Sequence, residues 1–207
     1  MDFFGNINII FFIVAYLVGA IPFGLILAKT FAGVNIKEHG SGSIGATNVL
    51  RVVKETNPAL AKKLGIATVV LDALKGAIVL GAAMMFDISA SNLWGIAILS
   101  VLGHCYSPYL NFEGGKGVAT GLGVLVVLEP VATIIGAVVW LVAAKTLKVS
   151  SLSSLLGLLA LVIFAVIFHD GLGVGSNVPL YILAFVIVYK HLPNILRIIK
   201  GEEKKVI

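Results

Sequence analysis

The chain has 207 residues, of which 59% are hydrophobic and 12% are charged, whereas soluble domains average about 45–50% and 25%. This composition and a mean hydropathy of +1.07 exclude an ordinary soluble globular protein and indicate a polytopic membrane protein. The formal net charge of +5 does not indicate nucleic-acid binding, because apolar segments separate the basic residues, as in cytoplasmic loops that face anionic lipid.

Apolar segments follow one another along the chain, and a helix needs about 20 residues to cross a bilayer. They cover residues 7–28, 64–86, 93–110, 118–128, 131–144, 150–168 and 178–189. The first is too long for a cleaved signal peptide and has Asp2 but no basic residue before Lys29, so we expect a retained transmembrane helix. Around Glu129 and Pro130, the chain forms either one span of 118–142 or two helices that meet at a break.

The charge distribution decides between these alternatives. With seven crossings and the N-terminus outside, the cytoplasmic segments hold every Lys and Arg except Lys75. The charged residues of the outer segments are then all acidic, namely Asp2, Asp87, Glu129 and Asp170. This asymmetry follows the positive-inside rule, whereas six crossings would place the basic C-terminus outside. We therefore predict an all-α integral membrane protein, with residues 1–207 as a single polytopic domain of about seven transmembrane helices, the N-terminus outside and the C-terminus in the cytoplasm. Segment 118–128 is expected to be a short span or a re-entrant segment.

Under this topology, three polar segments gather on the cytoplasmic face: the loops 38–51 and 103–121 and the tail 190–203. The first loop reads EHGSGSIGATNVLR. Its glycines let backbone amides approach an anion closely, and its side chains offer neutral donors and one guanidinium. The residues concerned are Gly40, Ser41, Gly42, Gly45, Thr47, Asn48 and Arg51. The pattern predicts a phosphate-binding loop, with a flexible glycine turn as the alternative. A dinucleotide fingerprint is disfavoured because no strand precedes the glycines.

The second loop frames Lys116 with Gly115 and Gly117, so that a cation and exposed amides can surround one phosphate. It is not a Walker A motif, because Gly117 stands where Ser or Thr is required and Leu110 stands at the upstream glycine position. A lysine anchored at the lipid interface is the alternative. Nearby, His104 is interpreted as a structural or a catalytic histidine.

The tail joins a helix end to a basic amphipathic segment, which suits an interfacial helix. His191 and Asn194 are three residues apart and can share a helical face, where they can position a substrate hydroxyl or phosphate. Asp72 and Lys75, inside the second apolar segment, form either a structural ion pair or a substrate contact, because unpaired charges there are costly. Ser151, at the start of the sixth segment, is a weaker candidate for the site.

Four segments together carry a resemblance to a known family. GSGSIGATNVLR at 40–51, LDALKG at 71–76, GHCYSPYLNFEGGKGVAT at 103–120 and HLPNILRIIKGEE at 191–203 resemble the acyl-phosphate glycerol-3-phosphate acyltransferases, the PlsY family. The resemblance implies an enzyme of bacterial phospholipid synthesis in the cytoplasmic (inner) membrane, with its active site on the cytoplasmic face. It implies transfer of a fatty acyl group from acyl phosphate to the 1-hydroxyl of sn-glycerol 3-phosphate, giving lysophosphatidic acid and phosphate. It also implies functional handover from a soluble enzyme that makes acyl phosphate.

The resemblance carries the family's functional residues onto three motifs of this chain. The first covers Ser41, Thr47, Asn48 and Arg51, the second Gly114, Gly115, Lys116 and Gly117, and the third His191, Asn194 and Glu203. We expect Lys116 and the glycine amides to hold the donor phosphate. Ser41, Asn48 and Arg51 are expected to hold glycerol phosphate, and His191 with Asn194 to orient the acceptor. Asp72, His104 and Glu203 are expected to support the site, and Lys75 and Ser151 to contact substrate. Ser43, Lys190 and Leu192-Pro193 depart from the family pattern.

Other functions are less well supported by the sequence. A transporter or channel for an anionic solute is the main alternative, but it normally needs polar groups near the bilayer midplane, and here they gather at one surface. The His-x4-Asp pattern of other glycerolipid acyltransferases is absent. No multi-aspartate motif indicates a head-group phosphotransferase, so neither a metal ion nor a cofactor is predicted.

Overall fold

The computed structural model describes residues 6–168 and 174–205. This part of the chain is all-helical and has no strand beyond one isolated bridge between Ser107 and Glu113, which confirms the predicted all-α class. The helices are α1 (Ile7–Gly19), α2 (Phe23–Ala32), α3 (Ala46–Lys54), α4 (Pro58–Met84), α5 (Ala90–Cys105), α6 (Val118–Leu128), α7 (Pro130–Leu147), α8 (Ser150–Phe168), α9 (Val178–Lys190) and α10 (Leu192–Ile199). The predicted topology places Asp2 and Asp170 on the outer side of the membrane, and neither residue is among those that the structure describes.

Several helices have the length and composition of membrane spans. Four described segments qualify, namely α1 with α2 (Ile7–Ala32), α4, α7 and α8, and the bent pair α9 and α10 adds a fifth if it is counted as one span. Helices α5 and α6 are apolar but shorter. The protein is therefore built as a multi-pass membrane protein by the length and hydropathy of its helices.

The first apolar segment, predicted as one helix, is broken at Ala20–Pro22. Helix α1 ends at Gly19 and α2 begins at Phe23, because Pro22 has no backbone N–H to continue the ladder. At the break, the carbonyl of Ile21 accepts hydrogen bonds from the Phe23 amide at 3.1 Å and from Lys75 Nζ at 2.9 Å. The kink thus connects the first span to the buried polar residues of α4.

Residues 38–51, predicted as a loop, are only partly a loop. Helix α3 begins after Gly45 and contains Thr47, Asn48 and Arg51. Its apolar residues Val49, Val52 and Val53 are buried in a small core with residues of α2 and α4. The helix forms because these valines fall on one face that packs against its neighbours, and Asn48 is buried with them.

Breaks at two other positions shape the rest of the bundle. Helix α6 ends at Leu128 and α7 begins at Pro130, with Glu129 between them, so the segment 118–142 is not one straight helix. Helices α9 and α10 meet at His191 with a bend of 57°. Helices α7 and α8 pack side by side, and the backbones of Gly136 and Gly157 approach so closely that an added Cβ at either would meet the other's carbonyl oxygen at 2.8 Å.

Candidate active site

One cavity of about 920 Å³ is lined by residues from all three predicted polar segments. Its polar lining comes from loops and helix ends and includes Ser41, Thr47, Arg51, Lys116, Ser151, His191, Asn194, Arg197 and Glu203. Its apolar lining comes from within α4, α6, α7 and α8 and includes Val69, Leu122, Leu125, Trp140, Leu158 and Leu161. The cavity therefore offers a charged compartment joined to a long apolar one.

Asn48 organises the first loop from its place on α3. Its Oδ1 accepts from the Ser41 amide at 2.8 Å, and its Nδ2 donates to the carbonyls of Ile36 at 2.8 Å and Ser43 at 2.9 Å. The side chain is 1% exposed. Asn48 thus holds the loop in one conformation, and Ser41 and Arg51 lie on the cavity wall beside it.

Thr47 joins this loop to the far side of the cavity. Its hydroxyl lies 2.9 Å from the hydroxyl of Ser150, at the first residue of α8. The neighbouring serines Ser153 and Ser154 donate to backbone carbonyls one turn earlier, which is how hydroxyls are commonly satisfied within a helix. Ser151 differs, because its hydroxyl donates to Glu203 at 2.7 Å.

Lys116 lies in a tight glycine turn immediately before α6. Gly117 has φ +81°, a left-handed conformation that glycine adopts without strain. Gly115 packs directly against His104, whose carbonyl accepts the Gly115 amide at 3.0 Å. Burial lowers the pKa of Lys116 to about 8; Glu203 opposes the shift, and the charges of Arg197 and Arg51 add to it. Lys116 therefore lies close to two other cations, as expected for a site that receives an anion.

His191 and Asn194 lie on the cavity wall at the bend between α9 and α10. His191 is 1% and Asn194 is 5% exposed. His191 Nδ1 is 2.7 Å from the carbonyl of Ile187, and a carbonyl can only accept, so Nδ1 carries the proton. The Nε2 of neutral His191 is therefore an acceptor.

Glu203 fixes the tail against this helix face. One oxygen accepts from Ser151 and from Asn194 Nδ2 at 2.6 Å, and the other accepts from Arg197 Nε at 2.7 Å. Burial opposes ionisation of Glu203, but hydrogen bonds from Ser151, Arg197 and Asn194 outweigh it and hold the pKa below its usual range. The carboxylate is thus a charged anchor for three side chains of the cavity.

Asp72 and Lys75 form the ion pair that was one of the two predicted alternatives. Lys75 Nζ lies 2.8 Å from Asp72 Oδ1 and 2.9 Å from His104 Nδ1, and both charged side chains are at most 3% exposed. Asp72 and His104 line the cavity, whereas Lys75 lies behind them and is not part of the lining.

The remaining predicted residues divide between the cavity wall and the turns behind it. Gly40, Gly45 and Gly117 line the cavity, whereas Gly42, Gly114 and Gly115 do not. Three further residues of the cavity wall were not predicted from the sequence, namely Arg197, Ser150 and Trp140. Arg197 follows Asn194 by three residues, and this is the same spacing that separates His191 from Asn194. Helical spacing therefore could have predicted that Arg197 shares their face.

A metal site is not evident in the described part of the chain. Among residues 6–168 and 174–205, no three His, Cys, Asp or Glu side chains are grouped so that they could hold a metal ion. The cavity lining includes the cations Arg51, Lys116 and Arg197, whose charges act on one another and which suit anionic ligands.

A family model, a related sequence and two solved structures that are similar to this chain agree with one another. A family model described as glycerol-3-phosphate acyltransferase matches residues 9–201. A glycerol-3-phosphate acyltransferase of Aliarcobacter butzleri is 68% identical over 100% of both chains. Crystal structures of PlsY, an integral membrane glycerol 3-phosphate acyltransferase, are also similar. Its glycerol 3-phosphate form has a TM-score of 0.84 and 36% identity over 97% of this chain and 96% of the other. Its lysophosphatidic acid form has a TM-score of 0.83 and 35% identity over 97% and 95%.

Proposed function

The chain belongs to the glycerol-3-phosphate acyltransferase family, and we propose that it transfers a fatty acyl group from acyl phosphate to the 1-hydroxyl of sn-glycerol 3-phosphate. The products are 1-acyl-sn-glycerol 3-phosphate and inorganic phosphate. The observation that carries this proposal is that one cavity joins a polar compartment containing Arg51, Lys116 and Arg197 to an apolar compartment. Two phosphorylated substrates, one with a fatty chain, require that combination.

Three cations supply the charge that two phosphates need. Arg51, Lys116 and Arg197 all line the cavity, and they lie close enough together to lower the pKa of Lys116. We propose that Lys116 and its glycine turn bind one phosphate and that Arg51 and Ser41 bind the other. A guanidinium suits bidentate phosphate binding, whereas an ammonium acts as a point charge.

The acceptor hydroxyl is proposed to meet His191. Because Nδ1 of His191 is bound to the Ile187 carbonyl, its Nε2 offers a lone pair for the hydrogen of the 1-hydroxyl. Asn194 is held beside it by Glu203. These contacts orient the hydroxyl oxygen toward the acyl carbonyl, and positioning of this kind supplies much of the rate of an acyl transfer.

The chemical step needs no enzyme nucleophile. The hydroxyl oxygen forms a bond to the acyl carbon, and the bond from that carbon to the phosphate oxygen breaks. As the new bond forms, the hydroxyl proton leaves its hydrogen bond to His191 and passes to a phosphate oxygen of the substrate, so His191 stays neutral. Lys116 and the glycine amides stabilise the negative charge on the leaving phosphate. Catalysis is then substrate-assisted, because the substrate phosphate takes the proton.

The proposed topology follows from the placement of the cavity. All three basic polar segments line it, and the positive-inside rule puts such segments in the cytoplasm. We propose seven crossings of the bacterial inner membrane, made by α1 with α2, α4, α5, α6, α7, α8 and α9, in one domain. The cavity then faces the cytoplasm, where a soluble enzyme can supply acyl phosphate, and its apolar compartment faces membrane lipid.

The test of this proposal compares isosteric changes at the two anion positions. Lys116→Met and Arg51→Gln remove one positive charge each, and Lys62→Met, at an exposed lysine, is the matched control. Steady-state kinetics of the purified protein in lipid should show that Lys116→Met raises KM mainly for one substrate and that Arg51→Gln raises KM mainly for the other substrate. Unaltered turnover in both variants contradicts the proposal, and solute flux without product in the parent protein favours a transporter.

A further inference from the structure

His104 has an unexplained place in the cavity wall. It lies near the C-terminal end of α5 and is 3% exposed, yet it is one of the residues that line the cavity. The proposed acyl transfer assigns it no contact with substrate. Its ring lies between Lys75 on one side and the glycine turn that carries Lys116 on the other.

Lys75 determines which nitrogen of His104 carries the proton. The ammonium has three hydrogens and no lone pair, and three acceptors surround it: Asp72 Oδ1 at 2.8 Å, the Ile21 carbonyl at 2.9 Å and His104 Nδ1 at 2.9 Å. His104 Nδ1 therefore accepts a hydrogen bond from Lys75. The single proton of the neutral ring must be on Nε2.

Nε2 of His104 faces the glycine turn. A Cβ added at Gly115 would lie 2.1 Å from Nε2, and one added at Gly114 would lie 2.2 Å from the His104 carbonyl oxygen. The turn can approach the ring this closely only because these residues lack side chains. Among the described residues, the hydrogen bond between Lys75 and the His104 ring involves Nδ1, and because His104 lines the cavity, a ligand there can supply the acceptor that an Nε2 hydrogen needs.

We propose that His104 is a further phosphate-binding residue, which donates its Nε2 hydrogen to an oxygen of the phosphate held at Lys116. This inference rests on the proposed function for the presence of a phosphate at the glycine turn. Lys75 and Asp72 are then positioning residues, because they fix the ring in the tautomer that presents a donor. His104 and His191 thus present opposite groups to the cavity, a donor for phosphate and an acceptor for the hydroxyl.

Two substitutions separate this role from a purely structural one. The side-chain amide of glutamine can place its NH₂ near the position of Nε2, whereas asparagine places its oxygen near Nδ1. His104→Gln therefore keeps the donor toward the turn and loses the acceptor for Lys75. His104→Asn keeps the acceptor for Lys75 and loses the donor. The exposed His39 provides the control substitution His39→Gln.

The experiment measures how inorganic phosphate and glycerol 3-phosphate protect the purified full-length protein in lipid against thermal unfolding, and compares acyl-transfer rates. We expect His104→Asn to weaken phosphate protection about 10- to 100-fold, the effect of losing a hydrogen bond to a charged group. His104→Gln should weaken protection only a few-fold while lowering Tm more than His104→Asn. His39→Gln should match the parent.

The opposite order overturns the inference. If both protection and rate are retained by His104→Asn and lost in His104→Gln, the histidine serves only to satisfy Lys75. Protection is measured without turnover, so it is independent of the donor substrate. A parent protein that is inactive with acyl phosphate but shows phosphate protection dependent on His104 Nε2 would refute the proposed function and leave this inference standing.

Discussion

Asn194 Nδ2 donates to Glu203 Oε1 at 2.6 Å, which joins the cavity face of α10 to the tail that follows it. The same oxygen accepts from Ser151 on α8. The carboxylate therefore connects the tail to a serine that lies 52 residues earlier in the chain. Without it, neither the amide of Asn194 nor the guanidinium of Arg197 would have a fixed orientation at the cavity.

Glu203→Gln is expected to lower activity and stability together. In the variant, an NH₂ group replaces one carboxylate oxygen and faces either Arg197 Nε or the side chains of Ser151 and Asn194. Because an NH₂ group donates and does not accept, it cannot replace the oxygen as the acceptor for Arg197 Nε or for Asn194 Nδ2. Because hydrogen bonds hold the pKa of Glu203 below its usual range, its stabilising contribution is present above the unfolded-state pKa and is lost as pH falls through the folded-state pKa. Thermal unfolding from about pH 6 to about pH 3, a range that passes the unfolded-state pKa of about 4.3 and continues toward the lower folded-state pKa, should show a smaller loss of Tm in the variant than in the parent; an equal loss contradicts the assignment.

Lys116 is expected to set the alkaline limit of activity. Burial lowers its pKa to about 8, so the amine is charged below that pH and neutral above it, and a neutral amine binds phosphate poorly. The profile of kcat/KM, which reports the free enzyme, should fall as pH rises through about 8. In Lys116→Arg the side chain stays charged, so any remaining activity should lack this fall. A parent profile flat to pH 10 would contradict the role.

The contact between Thr47 and Ser150 is expected to couple α3 with α8. Thr47→Val and Ser150→Ala each remove one hydroxyl of a pair separated by 2.9 Å, and each leaves the other hydroxyl without this partner. A double-mutant cycle on the free energy of unfolding should give a coupling of about 0.5–1.5 kcal/mol. Additive effects would mean that the contact does not stabilise the loop.

Gly115→Ala is expected to inactivate the enzyme without unfolding it. The added Cβ would lie 2.1 Å from His104 Nε2, so the turn carrying Lys116 must shift, and a shift of this size can cost about 100-fold in rate. Gly81→Ala is the matched control, because an added Cβ there meets no atom within 4 Å. The rates of the two variants should therefore differ widely, and equal rates would show that the turn tolerates displacement.

Much of the architecture was predictable because it follows from local pattern. The apolar segments, the break at Glu129-Pro130 and the shared face of His191 and Asn194 all depend on hydropathy, proline chemistry or helical spacing. Helix α3 was missed because its glycine-rich start resembles a loop and its valines become a buried face only when α4 is beside them.

Other parts of the site depend on contacts that no local pattern contains. Lys75 was predicted to form an ion pair with Asp72 or to contact substrate, and its partners include the Ile21 carbonyl, 54 positions away in the chain. That carbonyl becomes available only at the break between α1 and α2. The proton position on His104 depends in turn on this arrangement. Long-range hydrogen bonds therefore determine the chemistry of residues that the sequence alone could only identify as candidates.

The most direct test of the central claim is product formation from defined substrates. The purified protein in lipid receives palmitoyl phosphate and radiolabelled glycerol 3-phosphate in the presence of chelator, with Lys116→Met as the control. We expect lysophosphatidic acid and an equal amount of inorganic phosphate from the parent protein and almost none of either product from the variant. No product from a folded parent with acyl phosphate, together with turnover of an acyl thioester, would contradict it.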